Sequence, residues 1–421
     1  MKKVKVALIG AGLRGQNYVS YAHKYPGEME LVAVAESNSD RLAAIQRRYG
    51  IDEAMCFSDW RDLLNQPKIA DATLICTQDQ IHFEPAMRAL DGGYHVMLEK
   101  PMSPDPLECL QMGNKAEQTN RILAICHVLR YTVFFRTIKN LLKEGAIGQL
   151  MSIQHNENVA YWHQAHSYVR GNWRNTSESS PMILSKSSHD LDILLWLAGS
   201  DCTRLSSFGT LSHFTAANAP KGGPNRCTDG CPVALDCLYY APDVYLNGKE
   251  NWMVQAISDD PSPEARLRAL QEGPYGRCVY RCDNDVVDHQ VVSMEFANEV
   301  TVVFTMSAFT QNCSRTIKLM GTKGEIHGSM ETNEIELIRF GGKREQIPLD
   351  KTGGLDGHGG GDHGLMRDFL QLVRNGEHES LTSAKNSVQS HLMAFAAEHS
   401  RLSRRVIDMQ QFSAALSGAS N

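Results

Sequence analysis

The first 130 residues alternate between apolar runs of strand length and longer stretches that begin or end at glycines. Strands that are apolar throughout and alternate with helices are typical of parallel sheets, so this region predicts a doubly wound parallel sheet. The predicted strands are KVKVALIG, MELVAVAES, DATLICT, YHVMLEK and ILAICHVLR. The predicted helices are AGLRGQNYVSYAHKY, SDRLAAIQRRYG and IHFEPAMRALDGG. In the second helix we expect Ser39 or Asp40 as the N-cap and Gly50 as the stop.

From about Tyr131 the pattern changes to a period of two. After helical FFRTIKNLLKEGAIG, alternating stretches predict a large, mostly antiparallel sheet with one open face. These stretches are LMSIQHNENV, RLSSFGTLSHF, VVDHQVVSMEF, EVTVVFTMSAF, RTIKLMG and EIELIRF, and two helices follow them. We therefore expect a first domain over residues 1–130 and an α+β domain over residues 131–421. The second domain contains an insertion around residues 217–285 that is rich in Gly, Pro and Asp.

Length and charge narrow the class of protein. The 421 residues suit two domains, and the net charge of −6 without a dense Lys/Arg run argues against nucleic-acid binding. No apolar stretch is long enough to span a membrane. The start, MKKVKVALIGAG, has a short apolar run and no cleavage pattern, so a first strand explains it better than a signal peptide. We expect a location in the reducing cytoplasm.

A glycine motif lies where the first predicted strand meets the first helix. Gly10, Gly12 and Gly15 form G-x-G-x-x-G, which permits a tight turn and a close approach of a pyrophosphate. Glu36 ends the second strand and is expected to accept hydrogen bonds from the adenosine ribose. Its charge would repel a 2′-phosphate, so the motif predicts NAD and favours it over NADP. Arg41 lies nearby and leaves some tolerance of NADP open.

The run HVMLEKP ends a predicted buried strand in two charged residues. Glu99 and Lys100 lie where ligands bind in such sheets, at the carboxyl end of the strand, and Pro101 stops the strand. A lysine there could stabilise an alkoxide that develops during hydride loss. The alternative is a surface lysine at a strand end.

With GAGLRG, ICTQDQIHFEPAMRALDGGYHVMLEKP and HVLRY together, the chain resembles the Gfo/Idh/MocA family of oxidoreductases. The resemblance implies a Rossmann dinucleotide-binding domain and a catalytic role for Lys100 beside the nicotinamide. Gln78 stands where the family usually has proline. The cofactor-binding residues expected from the motif and the resemblance are Gly10, Gly12, Leu13, Arg14, Gly15, Glu36, Ser37, Cys76, Thr77, Gln78, His82, Glu99 and Lys100.

The stretch SKSSHDLDILLWLAG predicts an amphipathic helix with Ser185, Lys186 and His189 on one face. The resemblance implies that His189 is catalytic, but Ser185 stands where the family has the aspartate of an Asp-His dyad. Two arrangements remain open: Lys186 acts as the second proton-handling group, or His189 acts alone.

Polar and aromatic side chains between the second domain's first strand and this helix suit a sugar ring, which has an apolar face and many hydroxyls. A solvated loop is the alternative. The candidate substrate residues are Tyr161, His163, His166, Trp173, Arg174, Ser185 and, from the resemblance, His358 in a later glycine-rich loop.

Five of the eleven cysteines cluster between Cys227 and Cys282. In a reducing compartment a metal is a better explanation than disulfides. A structural Zn²⁺ site is predicted, with Cys282 as the spare thiol; an iron-sulfur cluster and unliganded thiols are the alternatives. The predicted ligands are Cys227, Cys231, Cys237 and Cys278.

Three functions compete. The first is an NAD-dependent dehydrogenase that acts on a secondary hydroxyl of a sugar, polyol or glycoside. The second is a redox-neutral glycosidase that oxidises, eliminates, hydrates and re-reduces its substrate, and the third is a cofactor-binding sensor without turnover. We expect a sugar-like small molecule as the partner and a homodimer or homotetramer formed through the open sheet.

Overall fold

The computed structural model describes residues 3–247, 251–349 and 359–418. Its first sheet has six parallel strands in the order β3-β2-β1-β4-β5-β6. The chain runs outward from β1 in one direction and from β4 in the other, which creates a crevice beyond their carboxyl ends. The strands are β1 (Val4–Ile9), β2 (Met29–Ala35), β3 (Cys56–Phe57), β4 (Ala72–Ile75), β5 (His95–Leu98) and β6 (Leu123–Ile125).

Helices cover both faces of this sheet, and β4, β5 and β6 are buried at every position. This burial explains why these strands are apolar throughout and confirms the predicted Rossmann-like sheet. The helices are α1 (Leu13–Val19), α2 (Tyr21–Lys24), α3 (Ser39–Tyr49), α4 (Trp60–Leu64), α5 (Phe83–Asp91) and α6 (Pro106–Thr119).

The predicted cap of α3 is wrong by one residue. Asn38, not Ser39 or Asp40, accepts hydrogen bonds from the backbone N–H groups of Asp40 and Arg41 through its side-chain oxygen. Gly50 ends the helix as predicted, with a φ of +65° that favours glycine.

The second sheet has nine strands in the order β14-β13-β12-β11-β7-β10-β9-β8-β15. Only β7 and β10 pair in parallel, so the sheet is mostly antiparallel, as predicted. The pattern missed β12, β14 and β15, which are short and lack sustained apolar alternation. The strands are β7 (Leu150–Asn158), β8 (Cys202–Thr210), β9 (His289–Phe296), β10 (Thr301–Ser307), β11 (Ser314–Gly321), β12 (Gly324–Ser329), β13 (Glu334–Arg339), β14 (Arg344–Ile347) and β15 (Ile407–Asp408).

Helices from the later half of the chain reach both sheets. A large apolar core joins the two sheets through α10 and α15, and α14 packs its buried face on the first sheet. No helix in the described ranges is long and apolar enough to cross a membrane. The helices are α7 (Val133–Lys143), α8 (Tyr161–His163), α9 (Met182–Ser185), α10 (Ser188–Ala198), α11 (Ala241–Tyr245), α12 (Trp252–Ile257), α13 (Pro263–Glu272), α14 (Gly361–Asn375), α15 (Ala384–Ser403) and α16 (Met409–Gly418).

The single amphipathic helix predicted for SKSSHDLDILLWLAG is wrong. The chain breaks at Lys186 and Ser187, so Ser185 ends α9 while His189 lies in α10. The polar residues at the start of α10 are buried. Ion pairs satisfy the two aspartates: Asp192 pairs with Arg130, and Asp190 pairs with Arg315. A helix whose charged side chains are paired can be buried on most sides. The polar positions in its sequence do not reveal this burial.

Candidate active site

The three glycines of the β1–α1 turn have different physical roles. Gly10 has a φ of +91°, and a Cβ there would lie 2.7 Å from the carbonyl oxygen of Cys76. A Cβ on Gly15 would lie 2.1 Å from the carbonyl oxygen of Gly10. A Cβ on Gly12 would meet nothing within 4 Å, so that position opens onto free space. The turn is thus tightly packed on its inner side and open at Gly12, which fits a dinucleotide pyrophosphate.

Glu36 fixes this turn from the end of β2. Its carboxylate accepts hydrogen bonds from the N–H groups of Ala11 (2.6 Å) and Asn38 (2.9 Å), and the side chain is buried. The sequence predicted a ribose contact, and the structure adds a second task, which is to shape the glycine turn. Ser37 is exposed directly after Glu36. A negative charge at this edge disfavours a 2′-phosphate.

The charged side chains of Arg14 and Glu99 pair with other groups of the protein. The Nε atom of Arg14 donates to Glu99 at 2.6 Å, and its guanidinium also donates to Asp362 at 2.7 Å. The hydroxyl of Tyr18 donates to the same Glu99 oxygen at 2.8 Å. Burial alone would raise the pKa of Glu99, but Arg14 holds that pKa below its usual value. Although the motif suggested that both residues bind cofactor, their geometry ties α1, the end of β5 and the start of α14 together.

Lys100 follows β5 at the crevice. Its Nζ atom donates to the backbone carbonyl oxygen of Ser185. Burial lowers the pKa of Lys100, and the positive charge of Lys186 lowers it further, while Glu99 and Asp79 oppose the shift. The lysine is therefore easier to deprotonate than a solvated one, which suits a group that takes a hydroxyl proton.

His82 supports the loop that carries Lys100. Its Nδ1 atom lies 2.7 Å from the carbonyl oxygen of Pro101, and its Nε2 atom lies 3.1 Å from that of Thr77. The ring is buried, and both nitrogens contact the protein backbone. Gln78, next to Thr77, is exposed at the crevice. His82 thus joins the loop after β4 to the loop that carries Lys100.

Lys186 lies at the break between α9 and α10 and pairs with a buried acid. Its Nζ atom is 3.1 Å from Glu157 of β7, whose other oxygen is 2.6 Å from Arg315 of β11. Arg315 also donates to Asp190 at 2.8 Å. This chain of alternating charges fixes Lys186 near Lys100 from the side of the second sheet.

His189 is buried at the start of α10, and its ring centroid lies 5.8 Å from that of His127. Burial lowers the pKa of His127, with further lowering from Arg130 and Lys100. The helix break means that His189 does not share a helical face with Lys186, so the predicted alignment of these two groups is wrong. Each reaches the crevice region from a different element.

Asp79 is a candidate site residue that the sequence analysis missed. It is buried, and it accepts hydrogen bonds from the hydroxyls of Ser179 (3.0 Å) and Ser180 (3.1 Å). The indole N–H of Trp173 points to its other oxygen at 3.4 Å. The signal was present, because Asp79 lies in the loop that follows β4 and parallel sheets bind ligands at that end. Asp79 brings Trp173 to the same crevice as Lys100.

The remaining candidate substrate residues all contact the insertion, and His163 also lies near the two lysines. The Nδ1 atom of His163 is 3.4 Å from the Cys313 sulfur, and burial, Lys186 and Lys100 all lower its pKa, so His163 lies near the lysines. Tyr161, half-buried, lies on the same short helix. The ring of His163 packs edge-on against Trp252 of the insertion at 5.2 Å, and that of Tyr161 against Tyr239 at 6.0 Å. His166 and Arg174 contact the insertion as well.

His166 is buried under the insertion and not in the crevice. Its ring stacks on Tyr275 at 4.8 Å, its Nδ1 atom is 2.8 Å from the Tyr245 hydroxyl, and burial lowers its pKa to about 3. Arg174 pairs with Asp283 at 2.8 Å and with Glu178. These contacts give both residues a role in seating the insertion. His358 lies outside the described residues.

Four thiols of the insertion line one small cavity, named here the cysteine cavity. None of them forms a disulfide, and Cys282 donates to the carbonyl oxygen of Cys278 at 3.3 Å outside the cavity lining. Across the described ranges, no three or more His, Cys, Asp or Glu side chains are arranged as a metal-binding group, so the structure does not support the predicted Zn²⁺ site. The cysteines of the cavity are Cys227, Cys231, Cys237 and Cys278.

Comparisons with known proteins agree with this geometry. The family described as "Oxidoreductase family, NAD-binding Rossmann fold" matches residues 4–127, and "Oxidoreductase family, C-terminal alpha/beta domain" matches residues 139–409. Putative oxidoreductase YteT of Bacillus subtilis is 22% identical over 82% of this chain and 83% of its own length. Inositol 2-dehydrogenase of Salmonella typhimurium is 26% identical over 47% of this chain, and the match spans only 55% of that enzyme.

A solved structure of levoglucosan dehydrogenase in complex with NADH and levoglucosan has the same fold. Its TM-score is 0.72 at 19% identity, over 97% of this chain and 100% of that chain. The two family matches together cover most of the chain and confirm the resemblance seen in the motifs. This chain belongs to the Gfo/Idh/MocA family of oxidoreductases.

Proposed function

We propose that this protein is an NAD-dependent dehydrogenase that oxidises a secondary hydroxyl of a sugar, polyol or glycoside. The observation that carries the proposal is Lys100, because a lysine with a lowered pKa directly after β5 is suited to accept a hydroxyl proton at the crevice beside the glycine turn. Relatives named as inositol 2-dehydrogenase and D-glucoside 3-dehydrogenase support this substrate class.

The residues divide the work between binding and proton transfer. Bound NAD supplies an acceptor for the hydride. Gly12 leaves room for the pyrophosphate, and Glu36 holds the turn and meets the ribose. Lys100 takes the hydroxyl proton as the carbon–hydrogen bond breaks, while His189 and Lys186 are the candidates for relaying that proton. Trp173, held by Asp79, offers an apolar face to the sugar ring.

A redox-neutral glycosidase is the second candidate. The observation that favours this second candidate is the Lys186–Glu157 pair, which adds a second set of proton-handling groups near Lys100. Elimination of an aglycone beside a transient ketone needs a base for a C–H proton as well as one for the hydroxyl. A single dehydrogenase step needs only the latter.

One assay with two readouts tests both candidates. The protein is incubated with NAD and a panel of free sugars, polyols and chromogenic glycosides, while NADH absorbance and aglycone release are followed together. We expect NADH to accumulate without aglycone release. Aglycone release that requires NAD but leaves no net NADH would establish the glycosidase instead. Cofactor binding without turnover on any substrate would favour a sensor and contradict both candidates.

Replacement of Glu36 by Ala is expected to weaken NAD binding by about tenfold or more. The change removes two charge-assisted hydrogen bonds that shape the glycine turn, together with the expected ribose contact. The measurement is the dissociation constant of NAD by calorimetry, with Glu30→Ala on the exposed side of the same strand as the matched control. An unchanged dissociation constant in Glu36→Ala would show that Glu36 does not serve the cofactor.

Replacement of Lys186 by Met is expected to move the acidic limb of the pH–rate profile, on which activity rises with pH, to higher pH. Lys186 lowers the pKa of Lys100, so its removal raises that pKa and a higher pH is needed to deprotonate Lys100. The measurement is kcat/KM across pH. Lys318→Met, on the open face of the second sheet and paired with Glu325, is the control and should leave the profile in place. A profile that stays unchanged in Lys186→Met would exclude this coupling.

We propose that the chain assembles as a homodimer or homotetramer, is cytoplasmic, and divides functionally into residues 1–130 and residues 131–421. The open face of the second sheet carries exposed Phe208 and Val303, which a second copy could cover. Light scattering at several concentrations tests the assembly, and a monomer at all of them would contradict it.

A further inference from the structure

The first turn of α3 carries an arginine at the edge where Glu36 follows β2. The side-chain oxygen of Asn38 accepts a hydrogen bond from the Arg41 N–H at 3.0 Å, and the Asn38 N–H donates to Glu36 at 2.9 Å. These two bonds fix the start of α3 beside the carboxylate that is expected to meet the adenosine ribose. An arginine at this edge suits a dinucleotide 2′-phosphate, because its guanidinium can bind the phosphate through two N–H groups.

The insertion places a carboxylate on this arginine. Both carboxylate oxygens of Asp259 lie 3.4 Å from Nη2 of Arg41, and one of them also lies 3.4 Å from Nε. The carboxylate therefore faces an edge of the guanidinium that could otherwise bind a phosphate. The two side chains are 41% and 56% exposed, so the pair is open to solvent and a charged ligand can compete for the arginine.

The turn that carries Asp259 joins α12 to α13 and is held by helix caps. Asn251 caps the start of α12 with its side chain, and Ser262 caps the start of α13 in the same way. Within the turn, the carboxylate of Asp260 accepts a hydrogen bond from the Ser262 N–H at 2.8 Å. These bonds fix the backbone on either side of Asp259, so the insertion presents its carboxylate at a defined place.

The same part of the insertion contacts the other end of the crevice. Trp252, the first residue of α12, packs edge-on against His163 at 5.2 Å, and His163 lies near the two lysines. Residues 252–259 therefore connect the candidate substrate residues with the end of β2, where the adenosine ribose is expected. A carboxylate at position 259 is thus at the end of the crevice where NAD and NADP differ.

We propose that Asp259 is a cofactor-specificity residue, which pairs with Arg41 and so withholds that guanidinium from a 2′-phosphate. The inference rests on the proposed use of NAD as the hydride acceptor. Glu36 repels a 2′-phosphate directly, whereas Asp259 occupies the cation that would otherwise offset this repulsion. A dinucleotide with a free 2′-hydroxyl does not need Arg41, so the pair leaves NAD binding unaffected. The insertion thereby strengthens the preference for NAD.

Calorimetric titration of the full-length protein with NAD and with NADP, without substrate, tests this proposal. In Asp259→Asn we expect the dissociation constant of NADP to fall by about fivefold or more, while that of NAD stays within about twofold. Asp259→Glu keeps the charge and should keep the wild-type ratio of the two constants. Asp260→Asn is the matched control, because it removes the same charge from the neighbouring residue, whose carboxylate contacts the Ser262 N–H. An equal change of the ratio in Asp259→Asn and Asp260→Asn would overturn the proposal.

A double variant tests whether the effect passes through Arg41. Adding Arg41→Met to Asp259→Asn should abolish the gain in NADP binding, because the gain requires the released guanidinium. A gain of the same size without Arg41 would overturn the proposal, and so would an unchanged NADP constant in Asp259→Asn. Both of these outcomes leave the proposed dehydrogenase in place. A wild-type protein that binds neither dinucleotide would contradict the proposed function as well.

Discussion

Replacement of Lys100 by Met is expected to lower kcat by about a hundredfold to ten-thousandfold, the usual contribution of a positioned acid or base. Methionine has a similar length but cannot accept a proton or stabilise a developing alkoxide. The lowered pKa of Lys100 places its proton transfer closer to neutral pH than that of a solvated lysine. Because the glycine turn and Glu36 are unchanged, the dissociation constant of NAD should stay within about threefold, far less than the change in kcat.

The matched control for this prediction is Lys68→Met. Lys68 belongs to the same half of the chain, is exposed, and donates to the carbonyl oxygen of Gly93 at 2.7 Å away from the crevice. It should keep kcat near that of the wild type. Steady-state kinetics on the substrate found in the panel assay, together with NAD titration, separate chemistry from binding. A Lys100→Met enzyme with kcat within about threefold of wild type would remove Lys100 from the mechanism.

Local patterns were enough to predict five of the six strands of the first sheet; they missed β3, which has only two residues. Strands buried on both faces are apolar throughout, and the glycine turn needs backbone conformations and contacts that only glycine tolerates at Gly10 and Gly15. The position of Lys100 followed from the same logic, because parallel strands present their carboxyl ends to ligands. These features depend on residues that are neighbours in the sequence or on the two-residue period of a strand. Both can be identified from a single sequence.

Contacts between distant segments were not predictable in the same way. Arg14 and Asp362 are 348 residues apart in the sequence. The sequence around each residue does not predict that the two side chains pair. Likewise Lys186, at the break before α10, pairs with Glu157 of β7, which also pairs with Arg315 of β11, and the local sequence around Lys186 contains neither partner. The four-residue spacing from Ser185 to His189 therefore indicated a shared face that the folded chain does not have.

The burial of His166 has the same origin. The sequence around it is polar and aromatic, which suits either a sugar or a packed interface. In the folded protein Tyr245 and Tyr275 of the insertion enclose the His166 ring, so this residue belongs to a packed interface. By contrast, Trp173 meets Asp79 from the first half of the chain and so remains at the crevice.

Replacement of Asp192 by Ala is expected to cost about 3–5 kcal/mol of unfolding free energy, because it leaves Arg130 buried without its counter-charge. The two side chains are 1% and 3% exposed and form two hydrogen bonds of 2.7 Å. The pair anchors α10, which also carries His189. Urea denaturation followed by tryptophan fluorescence measures the loss.

The control for this loss is an exposed pair, Arg204 and Glu295, whose side chains are 62% and 41% accessible. Glu295→Ala should change stability by no more than about 1 kcal/mol. The double variant Arg130→Met/Asp192→Leu replaces both buried charges with apolar groups, so it should recover much of the loss seen in Asp192→Ala. If Asp192→Ala cost as little as Glu295→Ala, the buried pair would contribute no more to stability than a solvated one, and the anchoring of α10 would have to come from its apolar contacts alone.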